Sequence, residues 1–251
     1  MSDLSLSIIT VVKNDENNIE KTIKSIINQK NIKLEYVVID GNSSDKTLSI
    51  INNYKSNITK IISENDNGIY DAMNKGIINS TGDIIVFCNS GDTFYENSLI
   101  HVIKIFNNNN FDYVFGTVLR NYVGNNQILK YNFNPKRIYY NFDFATSHST
   151  GFFLKRDVYE KIGYYNTKFK CSADYDLYFR LINKRYIGTV TDKKNIIGNV
   201  ASGGYSSKIS FFSHIFEEAR IRLHNKQNLF IVFLIFINSI IKNPLKFFKK
   251  T

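Results

Sequence analysis

The sequence predicts an α/β fold: a mostly parallel sheet flanked by helices, mixed toward its second half and followed by a C-terminal helical extension. Three observations predict it. The N-terminal third alternates short apolar runs with stretches whose apolar residues recur at helical spacing. The connections between them are short, as in right-handed strand-helix-strand units. The first run, Leu6 to Val12, is almost continuously apolar, which suits a strand buried on both faces.

That run ends in the polar loop Lys13-Asn14-Asp15-Glu16, and Ile19, Ile23, Ile26 and Ile27 place a helix over Asn18 to Asn28. Tyr36 to Ile39 is the second strand. It runs into Asp40-Gly41-Asn42-Ser43-Ser44-Asp45, where Ser44 or Asp45 is expected to cap a helix reaching Tyr54. The third strand is expected near Thr59 to Ile62, the third helix over Tyr70 to Asn79, and the fourth strand over Ile84 to Cys88. In such a sheet every strand-to-helix loop lies at the carboxyl edge, so the loops at Asn14, Asp40, Asp66 and Asp92 should converge on one crevice. Further on, a helix is expected over Ser98 to Phe106 and a single strand over Tyr113 to Leu119. Gly124-Asn125-Asn126 should turn a hairpin, and residues 132 to 150 should be an irregular aromatic loop. A short strand at Gly151 to Leu154, helices at Asp157 to Ile162 and Tyr175 to Asn183, and closing strands at Tyr186 to Val190 and Ile196 to Val200 complete the body.

The C-terminal part changes character. A helix over Ser210 to Asn225 precedes Leu229 to Ile241, almost wholly apolar, and then Lys242, Lys246, Lys249 and Lys250. A helix of that length spans about 20 Å, short of the roughly 30 Å hydrocarbon core of a bilayer. It is expected to lie in the interface of an anionic membrane; the alternative is packing on the body or in a homo-oligomer interface.

The chain has 251 residues, 43% of them hydrophobic and 14% aromatic, ample for a packed core. Its two cysteines form no disulfide framework or metal quartet, which favours a reducing compartment. Met1-Ser2-Asp3 carries no basic n-region, so a cytosolic address is expected. The net charge of +10 implies an anionic partner: nucleic acid, a phosphorylated small molecule or an acidic membrane. No nucleic-acid-binding motif accompanies that charge, which argues against nucleic acid.

Chemistry concentrates in two loops. Asn89-Ser90-Gly91-Asp92 follows a buried strand; Asp92 either holds a hard divalent cation, with substrate phosphates completing the shell, or caps the following turn. Glu64-Asn65-Asp66-Asn67-Gly68 opens a helix whose free amides suit a phosphate; Lys75 adds charge, and Asp71 either serves the site or balances the helix dipole. Asp174 and Asp176 open a later helix and point about 200° apart, so one of them can be a base. His148 is a lone histidine in a polar run. No Walker, dinucleotide, zinc or nucleophile-elbow motif is present.

Five stretches in order, SIITVVKN (Ser7 to Asn14), YVVIDGNSSDKT (Tyr36 to Thr47), SENDNGIYDAMNKGI (Ser63 to Ile77), TGDIIVFCNSGD (Thr81 to Asp92) and SADYDLYFRL (Ser172 to Leu181), resemble the inverting nucleotide-sugar glycosyltransferases of family 2, bacterial surface-polysaccharide type. The resemblance, which covers roughly residues 5 to 185, implies a Rossmann-like, glycosyltransferase A-type fold over 1–208, with a donor half to about 120 and an acceptor half beyond; the apolar basic tail makes 209–251 a membrane-associating extension. The resemblance also implies a nucleotide-diphosphate sugar donor, UDP-sugar favoured, Mg²⁺ or Mn²⁺, and a glycan acceptor in capsule or lipopolysaccharide synthesis; the apolar basic tail adds the expectation of a lipid-linked acceptor and a place on the inner face of the cytoplasmic membrane. By position, Thr10, Val12, Asn14 and Asp40 would contact the nucleoside; Asp66, Asn67, Gly68, Asp71, Asn74 and Lys75 would line the donor pocket. Asn89, Ser90 and Gly91 would flank the diphosphate, Asp92 would hold the metal, Asp174 would be the base, and His148 and Asp176 would face acceptor or diphosphate. Four positions depart from the family: Asn89 and Gly91 stand where carboxylates are frequent, Ala173 replaces an acidic residue before the base, and Met73 replaces an arginine.

Two other readings compete. A nucleotidyltransferase would share the sheet but normally carries a glycine-rich basic loop after the first strand, which Lys13-Asn14-Asp15-Glu16 is not. A noncatalytic binder of anionic polymer or membrane would explain the charge alone.

Overall fold

The computed structural model describes residues 4–121, 127–140, 144–145, 148–204 and 209–243. Strand β1 (Ser5–Val12) is buried from Leu6 onward, as its unbroken apolar run requires. Helix α1 (Ile19–Ile27) lays Ile19, Thr22, Ile23 and Ile26 against the sheet. Strand β2 (Lys33–Asp40) pairs in parallel along the whole of β1, from Ser5↔Lys33 to Val12↔Asp40. Helix α2 (Thr47–Asn52) is shorter than expected, giving way to a 3₁₀ turn at Lys55–Asn57. Neither Ser44 nor Asp45 is its N-cap residue, although Asp45 Oδ1 accepts the Thr47 N–H at 2.9 Å.

Strand β3 (Lys60–Ser63) adds in parallel to β2, and β4 (Ile84–Phe87) adds in parallel to the other side of β1. Between them, helix α3 (Ile69–Ile78) starts from Gly68, whose φ of +116° favours glycine. The winding direction therefore reverses at β1 and β4. The carboxyl edge at such a reversal is the usual ligand position in sheets of this kind.

After the two-residue strand β5 (Thr93–Phe94) and helix α4 (Leu99–Asn108), the expected single strand over Tyr113 to Leu119 is two strands in different sheets. Strand β6 (Tyr113–Phe115) belongs to the large sheet and β7 (Thr117–Asn121) to a small one. The break is Gly116, where a Cβ would collide with the Ile197 side chain. The residues on either side, Tyr113–Phe115 and Thr117 with Val118, are buried, so the apolar run passes the break without a change of pattern. Strand β8 (Gln127–Lys130) pairs antiparallel with β7; the Gly124 to Asn126 turn lies outside the described residues. Within the expected loop over 132 to 150, the described residues form a 3₁₀ turn at Pro135–Tyr139, a bridge between Phe133 and Ala145, and a second 3₁₀ turn at Ser149–Gly151.

Strand β9 (Phe152–Lys155) runs antiparallel between β4 and β6, which makes the large sheet mixed. Helices α5 (Arg156–Ile162) and α6 (Ala173–Asn183) follow, then β10 (Gly188–Val190), parallel to β6, and β11 (Ile196–Val200) in the small sheet. Among the described residues the large sheet has seven strands in the order β10-β6-β9-β4-β1-β2-β3, and the small sheet is β5-β11-β7-β8. Aromatic rings fill the space under α6: Phe152 stands 4.8 Å from Tyr178 and 5.0 Å from Phe115, centroid to centroid.

Helix α7 (Phe211–His224) is part of this body. Ile221 joins the main core cluster, and the fully buried Arg222 donates to the Ile138 carbonyl at 2.9 Å. Helix α8 (Leu229–Lys242) packs on α7, with Phe236 at 5.2 Å from Phe216, and only its Val232 is buried. Helix α7 thus packs with the body, whereas most of α8 is exposed or half-buried. Among the described residues no helix is long and apolar enough to cross a membrane. Lys246, Lys249 and Lys250 lie outside the described residues, as do Met1-Ser2-Asp3.

Candidate active site

Contacts among the loops at the carboxyl edge show how they converge. The Gly41 N–H donates to the Val12 carbonyl at 2.9 Å, the Asn14 N–H to Ser43 Oγ at 2.8 Å and the Ser44 N–H to Asn14 Oδ1 at 2.8 Å, joining the loops after β1 and β2. Gly41 in turn lies so close to Asp66 that a Cβ would meet its carboxylate, so the β2 and β3 loops touch. Ser90 Oγ donates to Asp15 Oδ2 at 2.6 Å, closing the β4 loop onto the β1 loop.

Asp40 is fully buried and organises the loops after β2 and β3, accepting from Ser43 N–H at 3.1 Å and Ser63 Oγ at 2.6 Å. Asp66 Oδ1 accepts the Gly68 N–H at 2.9 Å, and Asp71 Oδ2 accepts the Asn67 N–H at 2.9 Å, so two acidic side chains fix the entry to α3. Lys75 Nζ donates to the Asn65 carbonyl at 2.6 Å and pairs with Glu64 at 2.8 Å. Asn74 exchanges two hydrogen bonds of 2.9 Å with the Tyr165 backbone and so ties α3 to the segment before α6.

Asp92 is 5% exposed. One oxygen accepts a short bond from the Thr150 hydroxyl and lies 3.9 Å from His148 Nδ1; the other accepts the Ala201 N–H at 2.8 Å. Burial lowers the His148 pKa and Arg120 adds to the effect against the pull of Asp92, so the imidazole is neutral at pH 7. Its Nδ1 accepts the Thr150 N–H at 3.3 Å, which leaves the proton on Nε2. Asn89 Nδ2 donates to Ser149 Oγ at 3.2 Å, while its buried Oδ1 has no partner among the described residues. Gly91 has φ +97°. An aspartate in that conformation would be strained, which gives the missing carboxylate a backbone reason.

Among the described residues no three His, Cys, Asp or Glu side chains converge as a metal cage. The loop offers one carboxylate, Asp92, and the unpartnered amide oxygen of Asn89. These are hard oxygen donors, and they fit an Mg²⁺-like ion that takes its remaining ligands from diphosphate and water.

Asp174 lies inside the first turn of α6, since the helix starts two residues earlier than expected and Ser172 is its N-cap. Its Oδ1 accepts from Tyr70 Oη at 3.2 Å and the Tyr175 N–H at 3.0 Å. Burial pushes its pKa up to about 6, against the opposing effect of those donors. Tyr70 thereby links α3 to Asp174.

Two expected residues point elsewhere. Asp176 is turned away from Asp174 by the helical rotation: it is buried against Arg180 Nε at 2.9 Å and Asn225 Nδ2 at 2.9 Å, beneath α7. Thr10 lies too deep in β1 to meet a nucleoside with its side chain, which donates to the Cys88 carbonyl at 2.7 Å. Val12, at the strand end, is 6% exposed. Sequence reasoning missed Thr150, Tyr70, Arg120 and the Ala201 amide. Thr150 shares the polar run of His148 and Tyr70 lies inside a quoted motif, so both had a local signal; the Ala201 contribution is backbone and has none.

The family model described as "Glycosyl transferase family 2" matches residues 7–163. An uncharacterized glycosyltransferase of Mycobacterium tuberculosis (strain CDC 1551 / Oshkosh) is 36% identical over 91 residues, a match spanning 36% of this chain and 35% of that protein. A PGL/p-HBAD biosynthesis glycosyltransferase of Mycobacterium bovis (strain BCG / Pasteur 1173P2) is 27% identical over 190 residues, 72% of each chain. Among solved structures, residues 1–349 of S. aureus TarS in complex with UDP-GlcNAc match with TM-score 0.72 and 17% identity, over 95% of this chain and 73% of that one. The mannosyltransferase PcManGT from Pyrobaculum calidifontis, in complex with GDP-Man and Mn²⁺, matches with TM-score 0.61 and 15% identity, over 96% of this chain and 75% of that one.

Proposed function

The chain belongs to glycosyl transferase family 2, and from that premise we propose that it moves a sugar, with inversion, from a nucleotide-diphosphate sugar to a hydroxyl of a glycan or lipid-linked acceptor in bacterial surface-polysaccharide synthesis. The observation that carries the reading is Asp174: a partly buried carboxyl with a pKa of about 6, hydrogen-bonded to Tyr70 of the donor-side helix. A base in that range is ionised at neutral pH and still accepts a proton readily. A UDP-sugar is the favoured donor, in line with the UDP-GlcNAc bound by TarS.

Asp174 takes the proton of the acceptor hydroxyl as its oxygen attacks the anomeric carbon. The bond from that carbon to the diphosphate oxygen breaks, and the configuration inverts. Asp92 and Asn89 would hold Mg²⁺ or Mn²⁺, which supplies positive charge to neutralise the leaving diphosphate. Neutral His148 offers its Nε2–H as a hydrogen-bond donor near the same group, and the Asp40 and Asp66 loops shape the nucleoside side. The exposed apolar face of α8, with the lysines around and beyond it, suits peripheral association with the inner face of the cytoplasmic membrane, where a lipid-linked acceptor resides.

Calorimetric titration with UDP in the presence and absence of Mn²⁺ tests the assignment. The wild type and Asp174→Asn should bind UDP more tightly with Mn²⁺, and Asp92→Asn should lose at least about tenfold of that gain, one well-placed charge contact being worth 1.4 kcal/mol or more. Asp174→Asn should abolish transfer. Metal-independent binding by all three proteins would remove the ion from the scheme, and turnover by Asp174→Asn would remove Asp174 as base.

A further inference from the structure

Helix α6 carries Asp174 in its first turn, yet the usual side-chain cap is missing: Ser172 makes no capping bond of its own. The amides leading into the helix are met from another element. Glu217 of α7, 8% exposed, accepts the Lys170 N–H on Oε2 and the Cys171 and Ser172 N–H groups on Oε1, each at 2.7 Å. Burying a carboxylate is costly unless its lone pairs are met, and three charge-assisted bonds at one helix start are a strong, directional clamp. The carboxylate also stands at the positive end of the α6 dipole.

The geometry points to Glu217 as a positioning residue that sets where the Asp174 carboxylate stands; this rests on the reading of Asp174 as the base. Moving the segment 170–172 moves the first turn of α6, and with it Asp174 relative to Tyr70. The groups that face Asp174 electrostatically are Tyr70 from α3, Tyr165 from the segment before α6, Tyr178 within α6, Cys171 beside the helix start, and Glu217 from α7. Burial chiefly raises the Asp174 pKa, and the negative charge of Glu217, the acidic partner in that set, adds to it in the same direction. Burial alone would raise the pKa of Glu217 too, but the three amides outweigh it and keep Glu217 ionised at neutral pH.

The experiment compares wild type, Glu217→Gln, Glu217→Ala and Asp174→Asn, with UDP release from UDP-GlcNAc in the absence of acceptor as the rate and the ¹³C carboxyl resonance of Asp174, assigned by its loss in Asp174→Asn, as a direct titration. Glu217→Ala should lower kcat about 10- to 100-fold with donor KM within about twofold, as expected for a misplaced base. Glu217→Gln keeps an oxygen for the Cys171 and Ser172 amides and should recover most of that rate, while the acid limb of its pH profile and the Asp174 titration both move to lower pH. If Glu217→Gln and folded Glu217→Ala keep the wild-type kcat, acid limb and Asp174 titration and merely melt lower, the clamp is structural and the inference fails. If Asp174→Asn turns over like wild type, the base assignment fails, whereas an Asp174 titration that still moves in Glu217→Gln retains the coupling between the two carboxyls.

Discussion

Asp174 is held where ionisation costs the folded state. Its pKa of about 6 in the folded protein lies above the ordinary value of 3.8, so between these values the native state binds the proton more tightly than the unfolded chain does. The corresponding stability is fully present below the ordinary value and is lost as pH rises through about 6; the loss is on the order of 2–3 kcal/mol above that window. Asparagine keeps an oxygen for the Tyr70 hydroxyl and the Tyr175 amide without the charge. Asp174→Asn should therefore melt higher than wild type at pH 7.5, by roughly 4–8 °C for a chain of this size, and show little difference at pH 4. Thermal denaturation at the two pH values checks this; an equal difference at both would mean that the carboxyl is not destabilised by charge. The same residue shows what a sequence conceals at this scale. Its motif made it a candidate base, but its elevated pKa comes from burial in the folded chain, with Tyr70, distant in sequence, against it. At Gly91 the letters reveal a missing carboxylate, while the reason, a φ of +97°, is conformational.

The N-terminal elements were readable because each apolar run is bounded by a polar loop and each helix has one apolar face. Readability fell where two elements share one run, as at Gly116, and where a helix starts on a cap from elsewhere, as in α6. Glycine marks such places through packing. Helix α3 lies against β1 at Gly76, where a Cβ would overlap the Ile9 side chain and approach Ile39 Cγ1 at 3.5 Å. Two effects compete in Gly76→Ala: alanine favours the helix by about 1 kcal/mol, whereas overpacking in a buried contact costs about 1–3 kcal/mol. Ile9 is fully buried in the central strand and has little room to yield, so overpacking should prevail, with a net loss of about 1–2 kcal/mol by urea unfolding at unchanged m-value. Because α3 also carries Tyr70 and Asn74, a stabilised variant would show that its seat on the sheet is looser than the Gly76 contact implies.

At the scale of the whole molecule, charge and apolar surface are concentrated together at one end of the chain. Phe230, Phe233, Leu234, Ile237 and Ile241 recur at helical spacing along the exposed side of α8, and Phe230 and Ile241 are 68% and 69% exposed. Such a stripe needs a partner. Helix α8 is too short to cross a bilayer, and the net charge of +10 and the lysines at 242, 246, 249 and 250 favour an anionic surface. Glu217 and Arg222, which tie α7 to the body, lie before α8, so deleting Leu229 to Thr251 should leave the melting temperature within a few degrees. The deletion should also abolish co-sedimentation with phosphatidylglycerol vesicles, which wild type shows at low salt and loses progressively as salt screens the lysines. Phosphatidylcholine vesicles should retain much less of the wild type. The competing occupant of the stripe is a second copy of the chain, and sedimentation velocity separates the two. A dimer without lipid that Phe233→Glu converts to monomer, with vesicle binding unchanged, would assign α8 to self-association. A monomer that Phe233→Glu releases from vesicles would leave the stripe facing lipid, with Asp174 held by a helix that packs directly against the membrane-bound one.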